Sequence, residues 1–191
     1  MGYSEPVKDA LIKLCEQAFL HSIEHNAELE DIPKREEFAD LPIQASFISV
    51  DFKDKFISCY GTIWKEKKLH LDIVKNSHTA VRNTKIYQDM TPEKFRRLKI
   101  SIYLLSELTE LSFSDEKDMI SQLKPGVDGV VFQWGKVYRT YLPVVWENTP
   151  NPQDFIAGLK RKANLPNDIW DSSVKVWTYT TENLIRPPSL N

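Results

Sequence analysis

The chain has 191 residues and carries 25 Lys and Arg against 27 Asp and Glu, a formal net charge of −2 that offers no global field to draw it to nucleic acid or an anionic membrane. With 41% hydrophobic, 11% aromatic and 27% charged residues it is excluded from the disordered class. No run approaches the ~20 apolar residues a membrane-spanning helix needs. The length fits one large domain or two intimately packed subdomains. The first twenty residues carry Glu5, Lys8, Asp9, Lys13 and Glu16 where a secretory peptide would need an apolar core, so a cytoplasmic setting is expected. Cys15 and Cys59 make no disulfide framework, and neither has a neighbour at zinc-ligand spacing.

Ser4 and Pro6 mark a helix start, with Ser4 placed to cap it. Val7, Leu11, Leu14, Cys15, Ala18 and Ser22 follow at helical spacing. This stripe makes Cys15 a small core residue. The acidic stretch from Glu24 to Asp40, broken by Pro33, reads as an exposed connection. His25 with Glu24, Glu28 and Glu30 shows no recognised ligand spacing, and no metal is expected. Ser46, Ile48, Val50 and Phe52 alternate as a strand, Lys53, Asp54 and Lys55 form a hairpin turn, and a second strand returns over Phe56 to Trp64. Leu71, Val74, Lys75, His78 and Val81 predict a modest helix, and a polar loop leads on to Pro92. Leu98, Ile100, Ile102 and Leu104 alternate with Lys99, Ser101 and Tyr103, predicting a strand with one face packed and the other in water.

A short helix is expected near Asp115 to Leu123, and then a hairpin centred on Gly135 and Lys136, where glycine supplies a positive φ. Asn151 caps a helix begun by Pro152, with Asp154 near the positive end of its dipole and Phe155, Leu159 and Ala163 on its buried face. Val174, Val176 and Thr178 define a last strand before Arg186, Pro187 and Pro188 end ordered pairing. Hairpins mixed with too few helices for a βαβ series predict an α+β fold with a mostly antiparallel sheet flanked by helices. Trp134, Tyr138, Tyr141 and Trp146, at strand spacing, are expected to serve packing rather than base stacking. Neither a Walker loop nor a dinucleotide fingerprint occurs, so no cofactor is expected by those routes. The basic runs Lys65 to Lys68, Lys94 to Lys99 and Lys160 to Lys162 are short and read as solvated surface.

Three stretches carry a family resemblance. Ala45-Ser46-Phe47-Ile48-Ser49-Val50 followed by Phe56-Ile57-Ser58-Cys59-Tyr60-Gly61-Thr62 is similar to paired strands ending in Leu-Arg-Gly-Cys-Ile-Gly. Lys124 to Val131 and Leu142-Pro143-Val144-Val145 resemble a Gly-x-x-Gly hairpin and a Leu-Pro-x-Val segment. Lys162-Ala163-Asn164-Leu165-Pro166 with Trp170 resembles Lys-Ala-Gly-Leu-Pro and its trailing Trp. Their order over roughly Leu11 to Tyr179 is that of the AMMECR domain family, which includes AmmeMemoRadiSam system protein A. The whole chain, 1–191, is accordingly read as one AMMECR-like domain with its core at about 11–180. This member is divergent: Ile57 and Ser58 stand where the family has Arg-Gly, Tyr60 stands for Ile, and Asn83, Thr84, Lys85 and Ile86 align with Asp-Pro-Arg-Phe.

The resemblance implies a cleft at the cysteine motif, and association with Memo-type and radical-SAM proteins. The expected site combines Cys59 with Ser58, Tyr60, Gly61, Thr62 and Lys85, the last offering a positive group to an anionic ligand. Alternation puts Cys59 on one face with Ile57 and Ile63, and Ser58, Tyr60 and Thr62 on the other, which favours a buried thiol. Two functions remain open: a module binding an unidentified small molecule or protein, or a small-molecule enzyme using Cys59 as nucleophile or redox thiol. The missing Arg-Gly and Asp-Pro-Arg-Phe groups favour binding.

Overall fold

The computed structural model describes residues 2–83 and 90–188. Pro6 falls in the first turn of helix α1 (Glu5–His25), and Ser4 occupies the cap position with extended backbone but without the side-chain cap bond expected of it. Leu11, Leu14, Cys15, Ala18 and Phe19 line the buried face of α1, as the spacing predicts. A single 3-10 turn, Glu36–Phe38, interrupts the connection that follows. Strands β1 (Ser46–Phe52) and β2 (Lys55–Gly61) form the expected hairpin, with Lys53 and Asp54 both at positive φ, the conformation that a two-residue turn between twisted strands demands.

Helix α2 (Leu69–Arg82) is rotated from the expected stripe. Its buried positions are Leu69, Asp72, Ile73, Val74, Asn76, Ser77, Ala80 and Val81, while Leu71 is among the exposed hydrophobics. The periodicity of apolar residues misplaced this face because two of its inward positions, Asp72 and Asn76, are polar. Helix α3 (Pro92–Arg96) is short and capped by the Thr91 hydroxyl, which accepts from the Lys94 amide. Strand β3 (Leu98–Leu105) is more buried than a one-sided strand: Ser101 and Tyr103 are buried along with Leu98, Ile100, Ile102 and Leu104, so the expected wet face is corrected to a strand enclosed on both sides.

After Leu105 come strand β4 (Thr109–Glu110), helix α4 (Glu116–Gln122) and the hairpin of β5 (Gly129–Trp134) and β6 (Val137–Tyr141), turned at Gly135 with φ 58°. A 3-10 turn (Pro143–Glu147) leads to helix α5 (Pro152–Lys162), where the Asn151 side chain accepts from the Gln153 and Asp154 amides. Strand β7 (Val174–Tyr179) is followed by β8 (Thr181–Arg186), which the sequence pattern misses. Only Leu184 and Arg186 of β8 are buried, so its polar composition conceals a strand.

The chain divides into two compact units, Met1–Leu105 with Glu182–Asn191, and Ser106–Thr181. In the first, the sheet order is β2-β1-β3-β8, and β1 is antiparallel to both β2 and β3. Its core joins Leu11, Leu14 and Phe19 of α1 and Ile73 of α2 to Ile48, Val50, Ile100 and Ile102 of the sheet. Each such side chain contributes about 1.5–3 kcal/mol on removal from water. Arg186 secures the last strand: its Nε donates to Glu16 at 2.6 Å and its Nη1 to the Leu98 carbonyl at 2.7 Å.

The second unit has sheet order β4-β7-β5-β6, also antiparallel, under α4 and α5. Phe155 of α5 stacks on Trp146 at 3.7 Å between ring centroids and meets Tyr141 edge-on, so these aromatics do pack as expected. Trp134 donates to Asp171, and Tyr138 is exposed. Lys160 of α5 is buried in the middle of this core, which corrects its reading as solvated surface. Its ammonium donates to Glu116 at 2.7 Å and to the Asn167 carbonyl at 2.9 Å, partners that offset the cost of burying a charge. Among the described residues no helix is long and apolar enough to cross a membrane.

Candidate functional site

Strand β2 presents the motif, and its register decides which side chains can act together. Val50 of β1 faces Ser58 and Asp51 faces Phe56, so Ile57 is an extra residue at a bulge. Strict alternation therefore fails at Ile57. Beyond the bulge, Ser58 lies opposite Val50 and Tyr60 opposite Ile48, both fully buried core residues. Cys59 lies opposite Ser49, which is in turn opposite Ser101. The expected set is thus split between the two faces of the sheet: Ser58 and Tyr60 point toward the helices, and Cys59 points away from them.

On the helix side, Ser58 is 4% exposed and its hydroxyl is buried with no hydrogen-bond partner among the described residues. Tyr60 is half-buried against the core and donates weakly to the Asn83 carbonyl at 3.4 Å. Thr62, just past the strand, donates to Asp72 Oδ1 at 2.6 Å. Lys85 lies outside the described residues.

Asp72 is the centre of a cluster that motif reading passes over. Its Oδ2 accepts from the Ser46 amide at 2.8 Å, the Ser46 hydroxyl at 2.7 Å and the Asn76 amide at 2.8 Å. Asn76 also donates to the Ser46 carbonyl at 3.0 Å, an oxygen that accepts from the Thr62 amide as well. One carboxylate therefore ties α2 to the start of β1 and to the end of β2. Burial pushes the Asp72 carboxyl above its ordinary pKa, although the hydrogen bonds from Thr62 and Ser46 pull the other way. The only hint in the sequence is an acid four residues before an amide, Asp72 and Asn76, on one helix face.

Gly61 is explained by packing. A Cβ there would overlap the Phe47 ring and the Ser46 carbonyl, so the glycine lets β1 close over the motif.

On the other face, Cys59, Ser49 and Ser101 form a row across three adjacent strands. Ser101 and Ser49 are buried and Cys59 is half-buried. Next to this row run Phe47 and Tyr103, paired across β1 and β3 and both buried; on its other side stand Asp51 and Lys99. The row supplies two hydroxyls and a thiol, and its formal charges stand one row away. Cys15, by contrast, is completely enclosed, and burial pushes its thiol up to about 12 despite the 3.4 Å contact with the Ser77 hydroxyl. Neither cysteine is disulfide-bonded.

Together the fold and this braced strand define the class as an α+β protein of two antiparallel sheets whose cysteine strand is fixed by a buried acid. The chain belongs to the AMMECR1 family, whose model matches residues 12–184. No curated protein matches it. Among solved structures it is similar to an uncharacterized protein, PH0010, from Pyrococcus horikoshii, with a TM-score of 0.82 and 19% identity over 94% of this chain and 91% of that one. At that identity the likeness speaks for the fold.

Proposed function

We propose that this AMMECR1-family chain is a binding module whose receptive surface is the β2 edge of its sheet at Cys59, the half-buried member of the row. The observation that carries the reading is the Cys59–Ser49–Ser101 row, whose members pass from buried on the inner strands to half-buried at the thiol. A thiol on an edge strand, backed by the buried Ser49, Ser101, Phe47 and Tyr103, suits a largely uncharged small molecule or an extended peptide segment. Asp51 and Lys99, one row away, would orient its polar end. Ser58, Tyr60 and Thr62 act in this reading as supports, since they face the helix side.

The alternative, Cys59 as nucleophile or redox thiol, draws on the same half-exposed sulfur, and one experiment separates the two. A small-molecule panel is screened by thermal shift against the wild type and against protein alkylated at Cys59. Hits lost on alkylation and recovered unchanged after incubation support binding. Mass-spectrometric conversion of a hit, abolished by Cys59→Ser, would establish the enzyme instead. A panel whose hits ignore the alkylation would sink both.

The reading treats residues 1–191 as one functional AMMECR domain, supported by a family match that runs through both units. Association with Memo-type or radical-SAM proteins, and a cytoplasmic setting, are part of the same proposal. Co-purification from a host that encodes such proteins tests the first, and cell fractionation the second.

A further inference from the structure

Helix α1 carries an arrangement separate from the cysteine strand. His21, Glu24 and His25 stand in the order His-x-x-Glu-His, the spacing with which one group of zinc peptidases places two ligating histidines and a water-activating glutamate on a helix. Reading His25 only against the glutamates around it hides this spacing, because the second imidazole lies one turn earlier.

The two imidazoles are neighbours, with ring centroids 4.6 Å apart and planes inclined at 45°. A zinc ion about 2.0 Å from a ring nitrogen lies roughly 3.2 Å from that ring's centroid, so two imidazoles on one ion at ~90–110° have centroids about 4.5–5.2 Å apart. The observed separation falls in that interval. Glu24 Oε2 is 3.7 Å from His25 Nε2, which sets the carboxylate beside the imidazole pair without making it a third ligand. The position along the helix is favourable too. His25 is the last residue of α1, where unsatisfied carbonyls make the negative end of the dipole and stabilise a cation.

We infer that His21 and His25 form a chelating site for a zinc-type divalent transition metal, with the Glu24 carboxylate beside it as acceptor for a metal-bound water. Among the described residues no group of three His, Cys, Asp or Glu side chains could hold a metal ion, so water completes the coordination. A site of this kind clips the last turn of α1. That turn is already joined to α2, since Ser22 bonds His78 at 2.7 Å and Asn26 accepts from Arg82 at 2.6 Å. Metal binding there would hold the α1–α2 pair against fraying.

Full-length protein carrying Cys59→Ser, which removes the competing half-exposed thiol, is titrated with zinc chloride by calorimetry and followed by thermal shift. One equivalent is expected to bind and to raise the melting temperature by about 2–4 °C, the response of a chain this size to ~1 kcal/mol. His21→Ala and His25→Ala are each expected to weaken zinc at least tenfold, with helical circular dichroism unchanged. Glu24→Gln is expected to weaken it less than tenfold. Binding that survives either histidine substitution overturns the chelate, as does absence of binding at millimolar zinc. The result is independent of any ligand for the Cys59 face.

Discussion

Replacing Asp72 by Ala removes the acceptor shared by the Ser46 amide and hydroxyl, the Thr62 hydroxyl and the Asn76 amide. The losses are unequal. Asn76 keeps the Ser46 carbonyl and hydroxyl as acceptors, and the half-buried Thr62 can turn to water. The Ser46 amide is buried and has nowhere to turn. An orphaned buried donor costs about 1–3 kcal/mol, and with partial losses at Thr62 and Asn76 the total is ~2–4 kcal/mol. For a chain of this length that lowers the melting temperature by roughly 4–16 °C. Amide exchange at Ser46 should accelerate beyond the global change, since its own partner is gone.

Asp72→Asn is the finer test. It keeps one oxygen for the Ser46 side and can donate to the Thr62 hydroxyl, so a cost near 1 kcal/mol is expected. It also removes a pH dependence whose sign is fixed. The folded Asp72 carboxyl titrates above its unfolded value of 3.8, so its contribution is fully present below pH 3.8 and is lost as the pH rises through the higher folded value. The stability of wild type relative to Asp72→Asn, measured by urea denaturation, should therefore fall from pH 3.5 upward and then level off. An Asp72→Ala variant within 0.5 kcal/mol of wild type, or a difference that grows with pH, would refute the brace.

Three further outcomes follow from the same strand. Gly61→Ala forces a methyl into the Phe47 ring and the Ser46 carbonyl, and should cost at least about 1–3 kcal/mol in chemical denaturation. Ser58→Ala deletes a buried hydroxyl that has no partner among the described residues, and should leave stability unchanged or raise it by up to ~1 kcal/mol; a loss beyond 1 kcal/mol would mean the hydroxyl is satisfied. In maleimide labelling at pH 8, Cys59 should react in the folded protein while Cys15, its thiol pushed up to about 12, waits for unfolding. Equal rates at the two sulfurs would contradict their placement.

What the sequence reveals here is what local chemistry decides. Asn151 and Pro152 announce α5 because a cap and a fixed φ act within one turn, and Gly135 announces its hairpin because the turn requires positive φ. The failures share a cause of the opposite kind. β8 escapes notice because its pairing partner, β3, is some eighty residues upstream in sequence yet adjacent in the sheet. The buried face of α2 is misread because Asp72 and Asn76 are satisfied by Ser46 and Thr62, and only the tertiary fold reveals that. At the motif, alternation rightly separates Cys59 from Ser58 and Tyr60, but it cannot detect the bulge at Ile57, which brings Phe56 instead of Ile57 opposite Asp51.

The division of the chain also sets which contacts must be long-range. The second unit is one unbroken stretch, and its ends are stitched where the Ser106 amide meets the Thr180 carbonyl at 2.9 Å. The first unit is interrupted by that stretch and receives β8 and the Arg186 clamp only from residues beyond it. Residues up to Thr181 include all of the second unit, while the sheet of the first still lacks its fourth strand. The second unit is thus continuous in sequence, while the first, which bears the motif, depends on contacts made across the full length of the second.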